Sequence, residues 1–236
     1  MSKMLVPLVL LAILICGHSD AQWNNCNTGF CSLASIGSSG AFTTFAPATL
    51  SNATLSNGNL TVTGNGGGVG GAASTSYKSS GKFCVSFTIN QSTANTDFIG
   101  IQDNTVPGYP AVTNGSPGHY AGWWIKNNQI LNSGGSQGAL QAAGVNGNSL
   151  NIAVDIGNGT CWYQLLNPTA GNWNNDASAN PATNTNGKVC AYTNVAPMFG
   201  ISNIGSPSTG DGVTANFGAT ACSGQLPSGF SAGWPQ

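Results

Sequence analysis

The stretch Ser149–Leu166 limits the fold of this chain more than any other part of the sequence. Its first half alternates apolar and polar side chains, which is the period of a half-buried strand. The apolar positions of this half are Leu150, Ile152, Val154 and Ile156. Asn158-Gly159 follows, a dipeptide that tolerates positive φ and suits a tight turn. Because Cys161–Leu166 is aromatic and aliphatic, as strands prefer, the stretch predicts an antiparallel hairpin that anchors a sheet.

The rest of the chain shows the same kind of local signal. Asn57-Gly58 separates two β-rich runs, and Phe83–Ile89 carries apolar side chains at every second position. No window has the apolar stripe of an amphipathic helix, so the chain is predicted to be all-β. Low-complexity disorder is the alternative for a sequence so rich in Gly, Ser and Asn, but regularly spaced strands and well-placed aromatic residues argue against it.

Charge is the least usual feature of the composition. Only 5% of the residues are charged, and the sequence has neither arginine nor glutamate. Nucleic acids and anionic membranes are bound through basic patches, which this chain lacks. These two classes of partner are therefore not expected.

The first 21 residues have the pattern of a secretory signal peptide. Lys3 precedes the apolar run Leu5–Cys16, and small residues occupy positions 19 and 21. The apolar run is too short to span a membrane well. Lipid attachment at Cys16 is the alternative, but the bulky Ile15 disfavours that cleavage.

We therefore expect an exported protein, extracellular or periplasmic, whose mature chain begins at Gln22. Residues 22–44 are predicted to form a Cys-containing N-terminal extension, and residues 45–236 a single domain. A chain of this length is sufficient for one large β domain with its own core.

Six cysteines remain after cleavage, an even number that suggests disulfides in an exported protein. Cys26 and Cys31 are close enough to pair with each other. The other four allow three pairings. We favour Cys161–Cys190, which successive strands could place side by side, and then Cys84–Cys222 by default. Zinc is the alternative, but no C-x-x-C pair is present.

Three long polar segments are candidate binding loops: 103–120, 132–148 and 167–187. The aromatic residues on them have no strand register to explain them, and flat rings beside amides suit a sugar or a protein interface. The predicted ligand-binding residues are Tyr109, His119, Tyr120, Trp173 and Asn174. The alternative for each ring is that it folds back on the core.

The order of these segments resembles the SPRY-type domains of phage and bacterial proteins. The matching pieces are T-L-S-N-G-N-L-T-V-T near Thr54, G-K-F-C-V-S-F-T-I from Gly81, F-I-G-I from Phe98, L-N-I-A-V-D-I-G-N-G-T-C-W-Y from Leu150, W-N-N-D-A-S-A-N-P-A-T from Trp173 and G-D-G-V-T-A-N-F-G-A-T-A from Gly210. The resemblance implies an antiparallel two-sheet β-sandwich of the concanavalin-like, jelly-roll kind. It also implies a binding module with its partner held by loops at one end. The sequence departs from the family at Cys84 and Ser86, where an aromatic residue and an acid are usual.

The sequence gives little support to the hypothesis that the protein is an enzyme. Glycoside hydrolases of related sandwiches use a pair of carboxylates, usually glutamates, and the aspartates here form no close doublet in sequence. A Ser-His-Asp site would have to use His119, and no G-x-S-x-G motif is present. Calcium is a weak possibility at Asp97 or Asp103, and no other cofactor is expected.

The sequence thus predicts a secreted, non-enzymatic recognition module whose partner is a protein or a glycan on a cell or particle surface. The alternative is a structural surface or appendage protein, phage-derived, whose polar surface serves assembly. A glycoside hydrolase is the weakest of the three hypotheses.

Overall fold

The computed structural model describes residues 41–94, 97–104, 119–133, 135–201 and 209–236. These residues form fifteen strands and three short 3₁₀ helices. The strands are β1 (Ala53–Ser56), β2 (Thr61–Asn65), β3 (Gly70–Ala73), β4 (Lys82–Gln91), β5 (Phe98–Asp103), β6 (Tyr120–Trp124), β7 (Gln129–Asn132), β8 (Gly135–Gly138), β9 (Ser149–Asp155), β10 (Thr160–Asn167), β11 (Thr169–Ala170), β12 (Lys188–Val189), β13 (Val195–Ile201), β14 (Thr209–Asn216) and β15 (Ser231–Ala232). The 3₁₀ helices are Pro47–Thr49, Trp173–Asn175 and Pro181–Thr183. None of the helices in the described part of the chain is long and apolar enough to cross a membrane.

The strands form two sheets. The large sheet has the order β1-β2-β14-β4-β9-β10-β11, with β12 beside β10 and β15 beside β4. The small sheet has the order β3-β13-β5-β6-β7-β8. Strand pairs are antiparallel except for β15, which is parallel to β4. The predicted all-β sandwich is confirmed.

The predicted central hairpin consists of β9 and β10. Asp155 is opposite Thr160 and Leu150 is opposite Leu165, so the turn lies at residues 156–159. Gly159 has a φ of +61°, and a Cβ atom there would lie 2.9 Å from the Cα of Ala191. The glycine is therefore required both by the turn and by the close approach of the chain.

The hairpin is buried on both faces, whereas its sequence predicts one polar, half-exposed face. Asn151 and Asp155 are each only 2% exposed. The C-terminal segment 219–230 covers this outer face, and Phe230 packs in one cluster with Cys84, Ala153 and Trp162. Alternation along a strand shows that the two faces differ, but it does not show what covers each face.

The main core lies between the sheets. Its large fully buried members include Trp123, Tyr163, Phe87, Phe199 and Trp234. Trp123 and Trp124 lie side by side in β6 and point to opposite faces of the small sheet. Trp124 belongs to a second cluster on the outer face, with Phe98, Tyr120 and Met198.

The described residues contain two disulfides, Cys84–Cys222 and Cys161–Cys190, the same pairs that the sequence favours. Cys84–Cys222 links β4 to the C-terminal segment. Ser86, one of the two positions where the sequence departs from the family pattern, contacts the same segment. Its hydroxyl accepts the N–H of Cys222 at 2.7 Å and donates to Asn151 at 2.8 Å. Disulfides of this kind indicate an oxidising compartment.

Several predictions concern the N-terminal part of the chain. The signal peptide, the Cys26–Cys31 pair and most of the extension lie outside the described residues. Thr43, assigned to the extension, is buried, and its N–H donates to the carbonyl of Trp234 at 2.9 Å. The domain boundaries stay predictions.

Candidate recognition site

His119 lies at one end of the small sheet, where β5 ends and β6 begins. The N–H of Asp103 donates to the carbonyl of His119, which places the two side chains together. His119 Nδ1 lies 2.6 Å from Asp103 Oδ2. The imidazole is 51% exposed and the carboxylate 6%. A buried acceptor thus orients a ring whose outer part faces solvent.

Tyr192, in the segment between β12 and β13, packs against the ring of this histidine. The two rings are stacked, with centroids 5.9 Å apart and planes 25° apart. The Tyr192 hydroxyl lies within hydrogen-bond distance of two acceptors, the carbonyl of Tyr120 at 3.1 Å and Asn132 Oδ1, and it lies 2.6 Å from Ser133 Oγ. Burial and the nearby negative charge of Asp103 raise the pKa of Tyr192, so its hydroxyl stays neutral at ordinary pH.

We call this group of side chains the His119 surface. Its members are Asp103, His119, Asn132, Ser133 and Tyr192. The sequence predicts His119 as a ligand contact and Asp103 only as a weak metal ligand. It does not predict a role for Tyr192, whose one signal is its place two residues after a cysteine predicted to be disulfide-bonded.

Tyr120 differs from its prediction as a loop residue that contacts a ligand. It is the first residue of β6 and is 4% exposed. Its ring packs edge-on against Phe98 at 5.2 Å, in the outer cluster of the small sheet. The side chain is therefore part of the protein's packing, and Tyr120 contributes to the His119 surface through its carbonyl. Tyr109, the remaining predicted residue of this loop, lies outside the described residues.

Trp173 and Asn174 belong to a different part of the molecule. Trp173 packs against the cluster on the outer face of the large sheet, next to Trp162 and Phe230. It therefore follows the alternative given for each ring, that of folding back on the core.

Asn174 is 5% exposed, and both ends of its amide are used inside the fold. Its Oδ1 accepts the N–H of Tyr163 at 2.9 Å, and its Nδ2 donates to the carbonyl of Asn186 at 2.9 Å. Its place in the ligand-binding set is corrected to a structural one, because a buried amide with these partners holds the backbone.

Asp97 and Asp103, the weak calcium candidates, lie at opposite ends of β5. Ser92 donates to Asp97 at 2.9 Å, and Asp103 holds His119. Among the residues that the structure describes, no group of three or more His, Cys, Asp or Glu side chains could hold a metal ion.

The fold brings two carboxyl groups together that are far apart in sequence. A side-chain hydrogen bond from Asp97 helps to lower the pKa of Asp211, so the two carboxyl groups lie close in space although the aspartates form no close doublet in sequence. Burial opposes ionisation of Asp211, but bonds from Thr93, Asp97 and Ala94 outweigh it and lower its pKa. Both residues are 0% exposed, so a substrate has no access to them.

Comparisons with family models and with curated protein sequences find no match. Solved structures with a similar fold include SPRY domains. The SPRY domain of human HERC1 matches with a TM-score of 0.52 and 15% identity, over 72% of this chain and 96% of that one. The PSpry domain of TRIM65 matches with a TM-score of 0.53 and 14% identity, over 75% and 92%. At such low identity the likeness shows the fold alone, a SPRY-type sandwich.

Proposed function

We propose that this chain is an exported, non-catalytic recognition module that holds a protein partner at the His119 surface. One observation carries the proposal. At one end of the sandwich a half-exposed imidazole is oriented by a buried carboxylate and supported by a stacked tyrosine. A side chain held in this way loses little freedom when a partner covers it, so more of the contact energy remains for binding. The SPRY-type fold is consistent with a protein-interaction module.

The chemistry of the site favours recognition over catalysis. An Asp-His pair also occurs in hydrolases, where the imidazole activates a nearby hydroxyl. Here Tyr192 has a raised pKa, and the Ser133 hydroxyl lies within hydrogen-bond distance of the Tyr192 oxygen. The carboxyl pair that a glycosidase would need is buried at Asp97 and Asp211. These features support a binding role.

Export is part of the proposal because the fold contains two disulfides that need an oxidising compartment. The N-terminal sequence has the pattern of a signal peptide, which agrees with this. A phage or bacterial origin stays a prediction from the sequence resemblance.

A surface glycan is the second form of the proposal. It is favoured by the near absence of charged side chains, since only 5% of the sequence is charged. An uncharged, amide-rich surface presents the groups that hydrogen-bond to sugar hydroxyls.

The test uses the purified protein from Gln22 to Gln236 with both described disulfides formed. It is applied to an array of extracellular protein domains and to a glycan array, each with calcium and then with a chelator. We expect saturable binding to a protein that is lost in His119→Ala. Thr54→Ala is the matched control, because Thr54 is exposed on β1 at the far edge of the large sheet.

Each result has a distinct meaning. If protein binding persists in His119→Ala, the binding site is not the His119 surface. If the protein binds only glycans, and loses that binding in His119→Ala, the partner at the His119 surface is a sugar and not a protein. If a folded protein gives blank arrays and self-associates in size-exclusion chromatography, the recognition proposal fails and the structural surface or appendage hypothesis takes its place.

A further inference from the structure

A shallow groove lies beside the segment that leaves β3 and crosses towards β4. Thr75, Ser76, Tyr77 and Gln236 line it, and its volume is about 440 Å³. Pockets that bind small ligands typically have volumes of roughly 300–1,000 Å³. The groove is therefore large enough for a mono- or disaccharide. It shares no lining residue with the His119 surface.

The wall of the groove is held in place from behind. Thr43 Oγ1 lies 2.6 Å from Thr75 Oγ1 and accepts the N–H of Ser76 at 3.1 Å. The indole N–H of the fully buried Trp234 donates to the carbonyl of Ser76 at 2.9 Å. These bonds tie both threonine and serine to the core of the sandwich, so the groove is formed before any ligand arrives.

Tyr77 and Gln236 are fixed in a similar way. Gln102, which is 3% exposed, donates to the Tyr77 hydroxyl at 3.0 Å. The side-chain amide of Gln236 donates to the carbonyl of Phe42 at 3.3 Å. The Tyr77 ring is half-buried, and its hydroxyl is held by the protein. Such a ring can serve as a flat platform.

The lining selects a class of ligand. Its four side chains offer three hydroxyl groups, one amide and one aromatic ring, and none of them is charged. A charged ligand would leave water and find no opposite charge among these four side chains. An apolar ligand would cover the hydrogen-bonding capacity that these groups keep beyond their bonds to Thr43, Gln102 and Phe42. A neutral sugar meets both conditions, because it has hydroxyls for the polar groups and a C–H face for the ring.

We propose that the Tyr77 groove binds a neutral sugar unit, as a mono- or disaccharide or as part of a longer glycan. This site goes beyond protein recognition at the His119 surface and does not depend on it. The two lie near one another, because β13 begins at Val195, which is bridged to Lys78 on one side and paired with Asp103 on the other.

The test is a titration of the ¹⁵N-labelled protein, followed by NMR, with neutral sugars: glucose, galactose, mannose and N-acetylglucosamine, and then their disaccharides. We expect saturable shifts of the amides of residues 75–77 and 236 with at least one sugar. Thr75→Arg places a long side chain in the groove at an exposed position and should abolish these shifts. Thr54→Arg, the same change at another exposed threonine, on β1, should leave them unchanged.

A second pair of variants examines the ring itself. Tyr77→Phe keeps the platform and should retain most of the binding, whereas Tyr77→Ala removes it and should weaken binding at least about tenfold, or ~1.4 kcal/mol. Dispersed spectra show that each variant is folded. The proposal is overturned if none of the sugars shifts these amides, or if the shifts persist in folded Thr75→Arg. Because His119 is intact in every variant, protein capture at the His119 surface provides a separate readout.

Discussion

At the scale of single residues, Asn174 shows how one side chain can hold two distant segments together. It joins β10 to the segment before β12 through its two amide bonds. Its φ of +53° lies in the left-handed region, which asparagine tolerates better than most residues. The residue therefore satisfies a strand N–H in a place where the neighbouring backbone cannot do so.

We predict that Asn174→Ala lowers the free energy of unfolding by about 1–3 kcal/mol, because it leaves the buried N–H of Tyr163 without its partner. Urea denaturation measures the change. The control is Asn172→Ala, since Asn172 is exposed and caps its helix with no side-chain hydrogen bond, and it should stay within about 0.5 kcal/mol of the wild type. Equal losses in the two variants would contradict the structural role of Asn174.

Asp155 makes the free energy of unfolding depend on pH. Burial opposes its ionisation, but bonds from Lys82 and Asn158 outweigh burial and hold its pKa below the ordinary value of 3.8. A lowered folded-state pKa contributes stability that is present above the unfolded pKa and lost as the pH falls through the folded one. The pKa of Asp211 is also lowered and acts in the same direction.

We therefore predict that the urea midpoint is steady near neutral pH and falls as the pH drops below about 3.8. Asp155→Asn should reduce the steepness of this acid loss. Lys82→Ala should have a smaller effect, because Lys82 is 39% exposed and its ion pair with Asp155 is screened by solvent. An acid slope that is the same in Asp155→Asn as in the wild type would refute this account.

At the scale of elements, the C-terminal segment 219–230 decides how much of the large sheet is buried. Its contacts with the sheet include Cys222 with Cys84, the Cys222 N–H with Ser86, and Gln225 with Gln164 at 3.0 Å. Asn151 lies beneath it and donates to Gln164 at 3.1 Å. The segment thus converts a polar outer face into a closed hydrogen-bonded layer.

The two disulfides should differ in what they contribute. They close loops with sequence separations of 138 and 29 residues. Loop-closure entropy gives about 5 and about 3.6 kcal/mol for these lengths. We predict that Cys84→Ala/Cys222→Ala costs more stability than Cys161→Ala/Cys190→Ala, by about 1.4 kcal/mol, in urea unfolding at one pH. An equal or reversed order would show that native contacts outweigh chain entropy here.

At the scale of the whole molecule, the two ends of the described domain close the sandwich together. Phe42 is bridged to Pro235, and Thr43 donates to the carbonyl of Trp234. Trp234 is fully buried, and its ring centroid lies 4.9 Å from that of Phe83. The same tryptophan supports the Tyr77 groove through Ser76.

We predict that Trp234→Ala lowers the free energy of unfolding by about 3–5 kcal/mol, the range for removing a large buried ring. Calorimetry or urea unfolding measures it. Leu226→Ala is the comparison, because Leu226 is 42% exposed and should cost little. A loss in Trp234→Ala no larger than that in Leu226→Ala would show that the end of the chain is not part of the cooperative fold.

The features that the sequence predicts correctly are local ones. The hairpin β9–β10, its turn at residues 156–159 and the strand β4 follow from alternation and turn residues, which depend on neighbours in the chain. The contact that closes this turn is equally local, because Asp155 accepts the N–H of Asn158 at 3.1 Å. The all-β class and the two-sheet sandwich followed from these signals and the family resemblance.

Only the tertiary structure decided which side chains meet. Asp103 is the last residue of β5, His119 directly precedes β6, and Tyr192 precedes β13. Their contact therefore depends on how β5, β6 and β13 pair in the sheet. The burial of Asn151 and Asn174 has the same origin. A strand's pattern records that its two faces differ, but the partner on each face is chosen by packing between segments distant in sequence. For that reason the sequence by itself determined where the strands of this protein lie, and only the tertiary structure decided which side chains meet at the His119 surface and which become buried.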